Sequence, residues 1–250
     1  MPERFRIHIP VTYRDVDRHL ELCPLALLGA MQEAAILQSE SLGRGMRYLE
    51  ERGWGWLIVH TRLRILRPIR WGASLEVATW PSALRRLLSR REFVACDRDG
   101  DAARASTLWA FVDRSAGRVQ RIPEELAAAY PVDRDQALPG AFRRPVRPAG
   151  ELLAERCTGV RPRDIDSNGH VNNLRYLDWM IDTLPEIDSL QLGSLQVRYL
   201  AETPPGCRVH VRTWACGPEH FHHEIQVEDG VIAAVARTRW QRRDQRSLRD

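Results

Sequence analysis

Arg62-Leu-Arg-Ile-Leu-Arg-Pro-Ile-Arg-Trp-Gly-Ala-Ser-Leu-Glu-Val-Ala-Thr-Trp80 aligns without a gap on Gln196-Val-Arg-Tyr-Leu-Ala-Glu-Thr-Pro-Pro-Gly-Cys-Arg-Val-His-Val-Arg-Thr-Trp214. Arg64/Arg198, Leu66/Leu200, Gly72/Gly206, Val77/Val211, Thr79/Thr213 and Trp80/Trp214 are identical. Each segment ends on an alternating run, Leu-x-Val-x-Thr-Trp in one and Val-x-Val-x-Thr-Trp in the other, which is the period of a strand. Self-similarity over such a length means two copies of one supersecondary unit in a single chain.

The echo extends outward. Arg14-Asp15-Val16-Asp17 matches Arg163-Asp164-Ile165-Asp166 upstream, and Asp99-Gly100 matches Asp229-Gly230 downstream as a hairpin signal. The closing strands are then Ala105 to Asp113 and Ala233 to Arg242. Between the Asp-x-Asp and the strands each half carries a helix. Pro24 to Glu40 sets Leu27, Leu28, Met31, Ala34, Ala35 and Gln38 on one face. Asn172 to Thr183 sets Leu174, Leu177, Met180 and Ile181 similarly and stops before Pro185. A helix followed by antiparallel strands, twice, is an α+β architecture. The Pro-, Arg- and Gly-rich stretch 131–150 has no periodicity and reads as a linker, so the expected organisation is 1–130, a linker at 131–150, and 151–250. The charged tail after Gln241 is expected to fray.

Composition narrows the function classes. The 250 residues are 44% hydrophobic and 28% charged, which is ordinary globular composition. No apolar run approaches the roughly 20 residues of a bilayer span, and the charged start lacks the apolar core of a signal peptide, so no membrane association and a cytoplasmic location are expected. Cys23, Cys96, Cys157, Cys207 and Cys216 form no CxxC pair and are odd in number, which fits reduced thiols. All 37 basic residues are arginine, and the net charge is only +4. No helix-turn-helix, zinc-finger or RNP pattern accompanies them, so no nucleic-acid partner is expected. Pairs such as Arg85-Arg86, Arg90-Arg91 and Arg143-Arg144 are either a solvated surface or a contact for phosphate or an acidic protein.

The chain has only three asparagines, Asn168, Asn172 and Asn173, all in one short window. That window, Arg163-Asp-Ile-Asp-Ser-Asn-Gly-His-Val-Asn-Asn173, is a polar loop running into a helix. Gly169 permits a tight turn, and the amides of Gly169, His170 and Val171 are expected to point outward near the helix start, where they can hold an oxyanion. Asp166, Asn168 and His170 alternate, so in an extended loop they share one side and can orient a water and move a proton. Asp, Ser and Asn also cap helices, and capping is the competing reading of the same residues. Glu202 ends the expected strand Val197 to Ala201, where it can serve as a general base or stand as a surface glutamate. Its counterpart in the first half is Pro68, and the loop Asp15-Val-Asp-Arg-His19 lacks asparagine. The second half therefore reads as catalytic and the first as supportive.

Asp164-Ile-Asp-Ser-Asn-Gly-His-Val-Asn-Asn-Leu-Arg-Tyr-Leu-Asp-Trp179, together with Arg104-Ala-Ser-Thr before Trp109 and Ile122-Pro-Glu-Glu125 after it, resembles the plant-type and bacterial acyl-ACP thioesterases over residues 5 to 240. The resemblance implies a double (tandem) hotdog: two helix-plus-antiparallel-sheet repeats forming one continuous sheet. Because the second half supplies the chemistry, the acyl-chain pocket is expected in the N-terminal hotdog. The resemblance also implies hydrolysis of fatty acyl groups carried by acyl carrier protein, with Asp166, Asn168 and His170 in the catalytic loop and Glu202 as the catalytic carboxylate. The family often places a cysteine after that glutamate; Thr203 stands here, which favours direct attack by water. An acyl-CoA thioesterase of the same fold and a non-catalytic acyl-binding hotdog are the alternatives. No cofactor and no metal are expected: His220, His222 and His223 lack a second cluster to complete a metal site, and Gly43-Arg-Gly45 lacks the rest of a dinucleotide fingerprint. Trp54 and Trp56 read as core residues, with an acyl tunnel as the other use.

Overall fold

The computed structural model describes residues 3–147, 150–166 and 169–243. It divides into two compact units, Met1–Phe142 and Arg143–Asp250. The first contains β1 (Phe5–Pro10), α1 (Pro24–Ser41), α2 (Met46–Glu50), β2 (Trp54–Ile65), β3 (Ser74–Arg85), β4 (Leu88–Asp97), β5 (Gly100–Asp113), β6 (Arg118–Val119) and α3 (Glu124–Ala129). Its antiparallel order is β1-β3-β4-β5-β2, with β6 added to β5. The second contains β7 (Glu151–Gly159), α4 (Asn173–Ile181), β8 (Leu190–Tyr199), β9 (Arg208–Ala215), β10 (His220–Val227) and β11 (Ile232–Arg242), in the order β8-β11-β10-β9-β7. Substituting each strand by its repeat partner turns one order into the other.

The helix of the first unit buries Leu27, Leu28, Met31, Ala34, Ala35 and Gln38, the six positions that its periodicity selects, and lies against β1 and β3. The second helix departs from expectation. It buries Tyr176, Leu177, Trp179 and Met180, while Leu174 and Ile181 are only half-buried. The aromatic rings decide the rotation: Tyr176 stacks at 5.7 Å on Trp179 and at 5.5 Å edge-on to Tyr199 of β8. Rings of that size bury more apolar area than the leucine and isoleucine they displace.

The repeat is carried by polar groups inside the sheets. Trp109 donates through Nε1 to Thr107 Oγ1 at 2.6 Å, and Trp240 donates to Thr238 Oγ1 at 2.9 Å. Thr79 and Thr213 are both fully buried. In the second unit the His223 ring joins the two threonines, with Nδ1 2.7 Å from Thr213 Oγ1 and Nε2 2.8 Å from Thr238 Oγ1.

The described residues of the proline-rich segment have no regular structure, yet its first part is strapped to the sheet. Trp80 Nε1 donates to the Asp135 carbonyl at 3.0 Å, Arg90 Nη2 to that of Leu138 at 2.7 Å, and Arg62 to those of Leu138, Pro139 and Gly140. Arg4 pairs with Asp133 at 2.9 Å and stacks over Trp80. Beneath the strap, the buried Glu92 carboxylate accepts from Ser82, Ser106, Arg90 and the Ala137 amide. Loop chemistry in the sequence marks irregular backbone; it does not reveal that the backbone carbonyls satisfy arginines on the sheet.

Two expectations follow. Glu92→Ala strands several buried donors and costs about 3 kcal/mol or more in chemical denaturation. Burial holds His223 down to about 3, and burial with Arg237 and Arg147 nearby holds His222 down to about 4, both from an ordinary 6.5. The folded state keeps them neutral while the unfolded chain takes up protons below that value. Stability is therefore fully present above pH 6.5 and falls as the pH drops toward 4, each histidine contributing up to about 1.4 kcal/mol per pH unit. Melting temperature against pH, with His223→Gln giving the shallower slope, checks this.

Candidate active site

The loop before α4 closes on itself. The Asp166 amide donates to the His170 carbonyl at 2.8 Å, the Gly169 amide to the Asp166 carbonyl at 3.0 Å, and the His170 amide to Asp166 Oδ1 at 3.4 Å. An isolated bridge pairs Ile165 with Val171. Gly169 sits at φ +79°, where a side chain is strained. This corrects one expectation: the Gly169 and His170 amides do not stand free as oxyanion donors, because the turn consumes them. The helix begins three residues past His170, with Asn172 as its cap, accepting from the Leu174 amide at 2.9 Å. Asn172 thus follows the capping reading. Asn168 lies outside the described residues.

The first unit repeats this loop bond for bond. Asp17 donates to Glu21 O at 2.8 Å and Leu20 to Asp17 O at 2.9 Å; Val16 bridges Leu22; Cys23 donates to Asp15 O as Asn172 donates to Asp164 O. Leu20 takes the left-handed conformation of Gly169 with φ +57°. The backbone is conserved between the copies and the side chains are not: Leu20, Glu21 and Cys23 stand where the second copy has Gly169, His170 and Asn172.

Glu202 lies three residues beyond the end of β8, not at its last residue. Its position is nonetheless fixed from both sides. The Leu200 and Ala201 amides donate to the Ala233 carbonyl at 2.8 and 3.2 Å. On the other side Thr203, only 2% exposed, accepts a 2.9 Å bond from the Tyr176 hydroxyl. Held between these anchors, Glu202 places Oε2 3.3 Å from His170 Nε2, with both side chains solvent-accessible. His170 Nδ1 is buried and has no hydrogen-bond partner among the described residues. Leu66 and Arg67 donate to the Ala102 carbonyl in the same manner, but the residue that follows is Pro68. The first copy keeps the scaffold and has no carboxylate.

Residues not singled out by sequence complete the surroundings. Asp164 is buried, accepts the Arg161 amide at 2.8 Å and lies 3.6 Å from Arg175. Tyr199 donates to the Asn173 carbonyl at 3.1 Å, tying β8 to the helix start. Tyr176 appears within the quoted motif, but its role as the anchor of Thr203 is a long-range contact with no local signal. Cys207 is half-buried, and burial together with Glu228 pushes its thiol above the ordinary value, which disfavours a thiolate nucleophile. The histidines of β10 do not converge: His220 bonds to the Pro218 carbonyl at 2.7 Å while His223 is held by the two threonines.

Family models decide the affiliation. The acyl-ACP thioesterase N-terminal domain matches residues 2–130 and the C-terminal domain residues 153–242. This chain belongs to the acyl-ACP thioesterase family. A palmitoyl-acyl carrier protein thioesterase from Gossypium hirsutum is 26% identical over 239 residues, which cover 86% of this chain and 58% of that one. The chain thus spans less than two thirds of that curated relative. A crystal structure from Lactobacillus plantarum, provisionally described as an oleoyl thioesterase, matches at 25% identity and a TM-score of 0.85, covering 97% of this chain and 98% of the other. The 12:0-ACP thioesterase of Umbellularia californica shares the fold, at 23% identity and a TM-score of 0.84, covering 96% and 98%. Each unit is accordingly a hotdog of the acyl-ACP thioesterase type.

The Tyr176–Thr203 contact makes a direct prediction. Thr203→Val leaves the buried Tyr176 proton without its acceptor and costs about 1–3 kcal/mol in denaturant unfolding. Thr203→Ser restores most of it.

Proposed function

We propose that the chain hydrolyses the thioester of a fatty acyl group carried on acyl carrier protein, releasing free fatty acid and the carrier thiol. The observation that carries this reading is the 3.3 Å approach of His170 Nε2 to the Glu202 carboxylate, between a loop and a strand-end turn that the first unit reproduces without either residue.

In this reading Glu202 is the general base. A carboxylate that is fixed at its backbone and open to solvent at its oxygens can take a proton from water, and the oxygen of that water attacks the thioester carbonyl carbon. The tetrahedral intermediate collapses with cleavage of the carbon–sulfur bond, and the departing sulfur takes the proton that Glu202 gained from the water, which restores the carboxylate. His170, within reach of Glu202, orients that carboxylate and the attacking water. Asp166 holds the loop closed and so sets the direction of His170. Asn168 is assigned to positioning water or substrate through the family resemblance. No covalent acyl-enzyme is required, and neither Thr203, whose hydroxyl is taken by Tyr176, nor Cys207, whose thiol is raised, offers a ready nucleophile.

The test is fatty acid release from a panel of acyl-ACPs. Glu202→Gln keeps the shape and removes the base, and kcat is expected to fall by about 100-fold or more with KM little changed. Undiminished turnover in that variant removes Glu202 from the mechanism. Faster hydrolysis of acyl-CoA than of acyl-ACP reassigns the carrier.

A further inference from the structure

The first unit holds a buried cation with no anion beside it. Arg91 of β4 is 6% exposed. Its Nη1 donates to Gln38 Oε1 and, at 3.3 Å, to Thr79 Oγ1. Its guanidinium carbon lies 5.8 Å from the centre of the Tyr130 ring, whose hydroxyl donates to Ser39 Oγ at 2.9 Å. Arg90, the preceding residue, projects to the other face of the sheet and pairs there with the buried Glu92. Arg91 has no such partner: among the described residues no carboxylate reaches it. Burial lowers its pKa to about 10, which leaves it charged at neutral pH. A lone buried charge costs several kcal/mol unless something compensates it.

The unused donors have a definite geometry. Nη1 carries both hydrogen bonds, whereas Nε and Nη2 make none to any described residue. Those two nitrogens form the side-on edge of the guanidinium, whose parallel N–H groups match the two oxygens of a carboxylate. The layer that holds the guanidinium also has apolar members. Met31, Ala34 and Ala35 share the buried face of α1 with Gln38, and Phe93 is the next residue on the same face of β4. Gln38 and Thr79 hold the guanidinium by one nitrogen and leave the fork presented.

We propose that Arg91 is the receptor for a carboxylate borne on an aliphatic chain, bound in the first unit with its oxygens on Nε and Nη2. Two sources share this chemistry: the carboxylate of a released fatty acid, or a carboxylate at the far end of a thioester-linked chain. Only the choice of source rests on the proposed hydrolase activity; the receptor itself does not.

The experiment is calorimetric titration of the full chain with a saturated fatty acid and with its methyl ester, which removes the charge and keeps the chain. Wild type is expected to bind the acid at least about tenfold more tightly than the ester. Arg91→Met abolishes that preference, and Arg91→Lys, which keeps the charge without the fork, weakens it. Equal binding of acid and ester to wild type, binding of neither, or a preference that survives in Arg91→Met overturns the proposal. If Arg91→Met does not fold, the acid-to-ester ratio in wild type and Arg91→Lys decides alone. Hydrolysis of ω-carboxyacyl-ACP against plain acyl-ACP separates the sources. A wild-type preference for the former, weakened in Arg91→Lys, assigns the substrate's far end, whereas inhibition by free acid without that preference assigns the product. Absence of hydrolysis on every thioester sinks the proposed function and leaves the binding result standing.

Discussion

A short loop tied by its own backbone bonds governs what this fold can present. Between Ile165 and Val171 the Asp166–His170 and Gly169–Asp166 bonds tie the described residues to one another. The side chains it carries differ between the two copies. Such a loop feeds a helix cap at Asn172 on one side and faces the Ala201–Thr203 segment on the other. Its counterpart at Val16–Leu22 shows how robust the constraint is: the same bonds form even with Leu20 in the left-handed region, where a leucine costs about 1–2 kcal/mol more than glycine.

That separation of scaffold from chemistry explains the asymmetry between the units. Both hold a tether from the strand-end turn to a single carbonyl, Ala102 in one and Ala233 in the other. Only the second follows the tether with a carboxylate, and only there does a buried tyrosine on the helix pin the next residue. In the interior the units differ again. The second joins its threonines through a neutral imidazole, whereas the first places the charged Arg91 in the layer beneath its helix and balances Arg90 on the other face with Glu92 and the strap.

Most of the architecture was legible in the sequence because its signals are local. The ungapped repeat, the six-position helix face and the Asp-Gly hairpins depend on neighbours in the chain. The rotation of α4 was not legible, since Leu174 and Ile181 satisfy the helical period as well as Tyr176 and Trp179 do; the ring contacts with Tyr199 break the tie. Likewise the Gly169 and His170 amides looked available because a sequence shows which donors exist and not which acceptors a turn brings to them. Of the predicted site residues the structure sets His170 against Glu202 and bonds Asp166 to the His170 backbone, while the anchoring of Glu202 by Thr203 and Tyr176 joins residues far apart in the chain and carries no motif of its own.

The most direct measurement is a rapid quench of wild-type protein mixed with a stoichiometric acyl-ACP, read by intact-protein mass. Direct attack by a water that Glu202 activates predicts that fatty acid accumulates while the protein mass stays unmodified at every time point. A transient species heavier by the acyl group, mapped to Thr203, Cys207 or any other side chain, would contradict it and make Glu202 the partner of a protein nucleophile.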